Sequence, residues 1–503
     1  MGAEVEKTEY SAEERRRFRQ EVNQELETFT WVLAHAEFDA TFPKIGLELE
    51  LNLVDEQMQP SMSNDDVLEH LGDHFQSELA RFNIEVNVAP RPAATGASPS
   101  LEHVVLHHLQ EAEDAAQQAA CRMVPIGILP TLRPEHLEGE WISGGARYTA
   151  LEKAILHERG GEGASLDIAG PGGERVQMYV PGIAPAAACT SLQLHRQVSP
   201  EKFATFWNAA QLIAAVQVAA GANSPFLFGK RLWAETRIPL FEQVLDTRTP
   251  ELRNQGVASR AIFGRDWISS PADLFRENIG SYPALLPELF EMPADEGGPK
   301  SATPGDRKGR APELPRLLLH NGTIWRWNRA IYDVVDGVPH LRVENRVMPA
   351  GPTAADTLAN CALYYGLLRT LVDQSPHPWV GVSHDDAERN FYAAAEHGLD
   401  AELVWPGISG PLPVTELLTE HLLPLAHDGL LAGGTSRQDA DTYLGTIRRR
   451  CETGVNGAVW QTRAVEQLEA QGMDRDAALT EMTRLYWENN ATHAPVDQWP
   501  LPA

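Results

Sequence analysis

Cysteine is scarce in this 503-residue chain: Cys121, Cys189, Cys361 and Cys451 stand alone, each far from the next. That spacing excludes a CxxC metal site and a secreted disulfide framework, and it suits buried thiols in a reducing compartment. The phosphate loop GxxxxGK[ST], the dinucleotide fingerprint GxGxxG, the GxSxG elbow and the HExxH zinc helix are all missing. If phosphate is handled, metal ions and arginines must handle it. The N-terminal stretch holds Glu4, Glu6 and Arg15-Arg16-Arg17 and no apolar run, so no signal peptide is expected. The most apolar segment, about 208–222, contains Gln211 and Gln217 and is too short for a bilayer span; it predicts a core helix. Positive charge is short too, with 42 Lys+Arg against 70 Asp+Glu and a net charge of −28. Such a chain repels nucleic acid and needs a local basic lining to hold any anion. These absences predict a soluble, cytoplasmic protein without nucleic-acid or membrane partners, with a homo-oligomer allowed.

The pattern that remains is mixed α+β. Apolar positions Phe18, Val22, Leu26, Phe29 and Val32 have helical spacing and predict an N-terminal helix within residues 1–40. Residues 41–352 read as the main body, with a helix over 101–121, a glycine-rich loop over 160–174 and a Pro/Gly/Lys/Asp-rich surface insertion at about 292–315. Residues 353–503 read as a helical portion packed on that body.

Within the body, four segments repeat one arrangement. In IGLELELNLV, Glu48 and Glu50 alternate with Leu47, Leu49 and Leu51, so a strand places both carboxylates on one face. Roughly 7 Å apart, they repel unless a cation or solvent screens them. FNIEVNV sets Asn83, Glu85 and Asn87 opposite Ile84, Val86 and Val88, with Glu78 just upstream. SLQLHRQV aligns Ser191, Gln193, His195 and Gln197; LRVENRVM aligns Arg342, Glu344 and Arg346. Each strand alone also fits a solvated sheet face. Together they hold Glu, Gln, Asn, His and Arg but no Lys, an inventory suited to hard cations and bound anions. Glu48, Glu50, Glu85, Glu344 and His195 suit more than one divalent ion over a triphosphate. Arginines supply the other half: Arg326 and Arg329 in TIWRWNR, Arg237 after Lys230 and Arg231, and Arg147 in an earlier loop. Structural ion pairs of Arg237 and Arg326 with Glu235 or Asp333 are the competing reading.

These residues resemble the second type of glutamate–cysteine ligase, the carboxylate–amine ligases, from about Ile45 to Asn360, with similarity to the long-chain branch continuing through the C-terminal helices. The resemblance rests on Gly46-Leu47-Glu48-Leu49-Glu50 as the family's GxExE strand, Glu78 seven residues before Glu85, and His195 in TSLQLHRQ. It also rests on Glu344-Asn345-Arg346 followed by PAGPT, and on NSP at 223–225 with ETR ending in Arg237. It implies a glutamine-synthetase-like fold, a curved and mostly antiparallel sheet funnel with helices outside. It further implies ATP with Mg²⁺ or Mn²⁺, a small-molecule carboxylate phosphorylated to an acyl phosphate, and an amine that displaces phosphate to form an amide. Glutamate with cysteine, as in glutathione biosynthesis, is the best-known pair. On that footing Glu48, Glu50, Glu78, Glu85, His195 and Glu344 would hold the metals. Arg346 and Arg326 would neutralise the transferring phosphoryl group, Arg237 and Arg147 would bind substrate, and the 292–315 insertion would cover the funnel. The alternatives are a phosphotransferase on the same fold, for a guanidine or a carboxylate, and a non-catalytic nucleotide- or metal-binding scaffold.

Overall fold

The computed structural model describes residues 10–39, 43–93, 100–144, 146–290 and 310–502. Seven strands form its main sheet: β1 Lys44–Val54, β2 Phe75–Ser77, β3 Asn83–Pro92, β4 Arg122–Val124, β5 Ser191–Val198, β6 Asn328–Val335 and β7 Val338–Pro349. Their order is β6-β7-β5-β1-β3-β2, with β4 also on β1, and every pairing is antiparallel. Register shifts between Ile45 and Leu47 and between Asn345 and Met348 mark irregularities of the kind that bend strands, and the sheet curls into a half-barrel. β6 and β7 are joined through Asp336 and Gly337, both at positive φ (53° and 85°), the Asp-Gly pair that a two-residue hairpin turn favours.

The alternation seen in the sequence decides which face is covered. Leu47, Leu49, Leu51, Ile84, Val86, Leu192, Leu194, Leu341 and Val343 are all buried in one apolar core. Helix α1, Ala12–His35, starts at a Ser11–Glu14 capping box and adds Phe18, Val22, Phe29 and Val32 to that core. Two longer helices later in the chain are α2, Leu101–Gln118, and α3, Pro200–Gly221. Of the described helices only α3 is long and apolar enough to cross a membrane by composition, and 89% of its apolar window is buried inside the protein. Its two glutamines are not errors in that core. Asn328 donates to Gln211 Oε1 at 2.7 Å, and Gln217 exchanges hydrogen bonds of 3.0 and 3.1 Å with Asn345. Buried amides are tolerated because they pair.

Short helices precede β6, among them α4 Arg237–Val244 and α5 Pro271–Ser281. After β7 come α6 Ala354–Leu371, α7 His384–His397, α8 Leu423–Ala432, α9 Arg437–Thr453, α10 Gly457–Ala470 and α11 Arg475–Asn490. Buried polar groups tie this portion to the body. Arg450 of α9 donates to Ala220 O at 3.1 Å, and Tyr486 of α11 donates to Pro125 O at 2.9 Å.

The fold is α+β, a curved antiparallel sheet with outer helices and a helical C-terminal portion, as the resemblance implied. Two local expectations fail. The supposed loop over 160–174 contains a strand, Ala164–Ala169, paired with Arg175–Val180; its buried Ala164, Leu166 and Ile168 alternate with exposed residues, a signal masked by the flanking glycines. The helical portion also holds one small strand pair, Glu402–Val404 with Pro411–Pro413. Of the expected insertion, residues 291–309 lie outside the described residues, and Pro315 opens a short helix, Pro315–Asn321.

Candidate active site

Opposite the apolar face, the register brings the polar residues of four strands side by side. Glu50 stands across from Glu85, Glu48 from both Asn87 and Gln193, and His195 from both Gly46 and Glu344. Directly opposed residues share a face, so all of these side chains emerge together. The six candidate metal ligands separate into two clusters: Glu48, His195 and Glu344, and Glu50, Glu78 and Glu85, each with donor atoms within 4.8 Å of one another.

The two clusters differ in charge. In the first, burial opposes ionisation of Glu344, but Arg329, Arg346 and His195 hold its carboxyl well below the ordinary range. Burial likewise opposes ionisation of Glu48, and the His195 ring and Arg346 bring it below its usual value despite Glu344. In the second, burial and the charge of Glu78 push Glu50 up to about 7. Burial raises Glu78, and burial plus the charges of Glu78, Glu48 and Glu50 drives Glu85 well above its usual value. Protein donors to this cluster are already engaged. Ser191 gives Glu50 its backbone N–H at 2.7 Å and its hydroxyl at 2.9 Å, Gln193 adds a bond at 2.8 Å, and Gln76 and Asn87 both donate to Glu85. Arg346 is the cation that acts on Glu50 and Glu78, and one guanidinium does not offset three carboxyls.

A divalent cation fits this donor set. His195 Nε2 is buried without a hydrogen-bond partner although Glu48 Oε1 is 3.0 Å away, so nitrogen and oxygen converge without an aligned N–H between them. His195 Nδ1 accepts from Arg342 Nε at 3.3 Å; a cation on Nε2, which needs the proton on Nδ1, would have to break that contact. All-oxygen and imidazole donors with no thiolate suit Mg²⁺ or Mn²⁺.

The arginines divide differently from the sequence expectation. Arg346 lies where Glu344, Glu50, Glu48 and Glu78 all act on it, and these charges raise its pKa despite burial. It therefore sits between the clusters, with Nη1 3.4 Å from Glu344. Arg326 does not join it. Its side chain is 1% exposed and reaches Asn278 and Glu277 of α5, both at 2.9 Å, because residues 325–326 leave the main sheet to pair with Ala261–Ile262. The arginine of this segment that reaches the face is Arg329, which grips Glu344 through Nε at 2.6 Å and Nη2 at 3.0 Å. Its place opposite Glu344 in the β6–β7 register was the missed signal: Arg329 shares the strand face and Arg326 does not. Arg237 was expected to grip a substrate carboxylate, yet it is buried with Nε 2.7 Å from Glu235 and Nη2 2.9 Å from Val347 O, the structural ion pair. The side chain of Arg147 lies outside the described residues. Gln76, on a strand of three residues too short to read from its pattern, is a further unpredicted member of the face.

The sequence model of the glutamate–cysteine ligase family 2 matches residues 44–482. Among solved structures, the chain is similar to a glutamate–cysteine ligase from Francisella tularensis in complex with AMP, at 11% identity over 93% of this chain and 91% of that chain, with a TM-score of 0.54. It also aligns with a bifunctional glutathione synthetase from Pasteurella multocida, at 12% identity over 93% of this chain and 54% of that chain, with a TM-score of 0.48. A third alignment is to the ligase PafA in complex with the prokaryotic ubiquitin-like protein Pup, at 9% identity over 88% and 72% of the two chains and a TM-score of 0.37. No curated protein matches.

Proposed function

Because this chain belongs to the glutamate–cysteine ligase family 2, we propose that it is an ATP-dependent carboxylate–amine ligase, with glutamate as the acid and cysteine or another amine as the acceptor. The observation that carries the reading is the pair of clusters, Glu48–His195–Glu344 and Glu50–Glu78–Glu85, flanking Arg346 on one sheet face.

Each cluster would hold a divalent ion, and such ions, when bound, offset the charge of a triphosphate. The carboxylate oxygen of the acid attacks the γ-phosphorus of ATP, the bond to the β-phosphate oxygen breaks, and ADP leaves. The amine nitrogen then attacks the acyl carbon, phosphate departs with the C–O electron pair, and the amine proton passes to solvent. Arg346 stabilises the charge that spreads over the transferring phosphoryl oxygens. Arg329 fixes Glu344 by two hydrogen bonds, so that carboxylate needs no reorganisation. Positioning and charge supply the catalysis, and no serine or cysteine nucleophile is required. With cysteine as acceptor, the product belongs to glutathione biosynthesis.

The test is a panel of acids and amines with ATP and MgCl₂, read by mass spectrometry of the condensed product together with ADP and free phosphate. Ligation requires both substrates and yields product, ADP and phosphate in equal amounts. ADP without phosphate from a single substrate would identify a phosphotransferase, and no turnover with any pair would leave a binding scaffold.

A further inference from the structure

A cavity of about 370 Å³ lies outside the strand face, and none of the residues that line it belongs to the seven-stranded sheet. Its size is at the small end of ligand pockets, which run from about 300 to 1,000 Å³. Its lining carries charges of both signs.

The lining holds Glu242 of α4 and Glu388 of α7. Glu242 accepts from the Trp327 indole at 2.9 Å and from the Tyr392 hydroxyl at 3.0 Å, and neither glutamate makes an ion pair among the described residues. Burial, with Glu388 nearby, pushes Glu242 up to about 7, and burial with Asp385 raises Glu388. The cation that acts on Glu242 is Arg248, and it is bonded to Asp246 instead. The lining also holds Arg265. Its Nε is 3.3 Å from Glu277 Oε1, the same oxygen that Arg326 Nη2 reaches at 2.9 Å, so two guanidinium groups share one carboxylate and leave a net positive charge. Behind it, Arg326 Nε and Nη1 and His384 Nε2 are buried without hydrogen-bond partners, and Arg326 and His384 are 2% and 5% exposed. Buried donors left unpaired are costly, and an anionic group near them removes part of that cost. Asp246 and Arg248, also in the lining, are joined by two bonds of 2.8 Å, and Arg253 shares the same carboxylate at 3.1 Å.

We propose that this cavity binds a free α-amino acid, its ammonium held by Glu242 and Glu388 and its carboxylate by Arg265. The inference goes beyond the ligase reading and stands without it. A lone cation would satisfy the glutamates only and a lone carboxylate Arg265 only; a zwitterion satisfies both. Glu242 is also tied to the sheet, since Trp327, whose indole it accepts, takes the Arg346 backbone N–H on its carbonyl at 2.8 Å. The cavity thus lies two contacts from Arg346 and apart from the strand face, so its occupant is not a reactant there.

Isothermal titration of the full chain without nucleotide or divalent ion, against each standard amino acid, ethylamine and propionate, tests this. The expected result is 1:1 binding of at least one amino acid, about tenfold or more tighter than ethylamine or propionate. Glu388→Gln, at a half-buried position with no ion pair to lose, should weaken it about tenfold or more, and so should Glu242→Gln once circular dichroism shows it folded. Arg346→Met should leave this affinity within about twofold, because the strand face is a separate site. The proposal is overturned if no amino acid binds, or if ethylamine or propionate binds as tightly. Loss of binding in Arg346→Met with retention in Glu388→Gln would assign the ligand to the strand face and overturn it equally.

Discussion

Glu50 accepts three hydrogen bonds and still ionises only near neutrality, because burial and the Glu78 charge outweigh them. Glu50→Gln keeps an oxygen for Ser191 and removes one of the crowded charges. Its melting temperature in EDTA should equal or exceed that of the wild type, while ADP release falls by about 100-fold or more. Turnover within tenfold of wild type would remove Glu50 from the ligand set. Arg346→Lys should be as severe, since one ammonium replaces a planar group that faces four glutamates, and arginines in this role contribute about 10³-fold or more to phosphoryl transfer. A near-normal rate would shift the phosphoryl role to Arg329. Glu242 carries the pH prediction. An unfolded glutamate titrates near about 4.3, the folded one at about 7. Between those values the native state holds a proton that the unfolded chain has lost, so stability falls as pH rises through the window and levels above it. Denaturant unfolding at pH 5 and pH 8 should show Glu242→Gln gaining on the wild type at the higher pH.

At the scale of elements, what could be read depended on how far a signal extends along the chain. β1, β3, β5 and β7 each repeat a two-residue period over several turns of the pleat, so the shared face of Glu48, Glu50, Glu85, His195 and Glu344 was legible from the sequence. β2 has three residues and no period to detect, which hid Gln76. Arg326 and Arg329 failed for a different reason: three residues apart, they lie on different sheets, and only the pairing of 325–326 with 261–262 shows where the main strand begins. Long-range pairing is not written in local pattern. The helical crossings were equally hidden. α6 and α8 cross at Gly366 and Gly429, where a Cβ on Gly429 would stand 2.0 Å from Gly366 O. Backbone cannot yield as a side-chain tip can. Gly429→Ala should therefore destabilise the protein by about 2–4 kcal/mol, despite the better helix propensity of alanine. Urea unfolding decides it, and an unchanged midpoint would mean the crossing can open.

Over the whole molecule, the strand-face site and the fold are the same object. Its ligands come from residues 48 to 344, on β1, β3, β5, β7 and the segment after β2, in a chain of net charge −28. Without cations, the second cluster stores repulsion among Glu50, Glu78 and Glu85. An ion bound there would join segments that separate only on global unfolding, so its binding energy would appear as stability of the entire body. Linkage gives about 2.7 kcal/mol when the ligand is at 100 times its dissociation constant. The melting temperature should thus rise from EDTA to MgCl₂, and again with ATP, beyond the change in NaCl of equal ionic strength, which screens surface charge alone. In a Glu50→Gln/Glu85→Gln double variant, which neutralises two carboxyls that burial and like charge hold above their usual range, the EDTA midpoint should be unchanged or higher and the MgCl₂ increment should shrink. If the increment is the same in both proteins, the ions bind elsewhere on the acidic surface, and the repulsion on the strand face is relieved by protons alone.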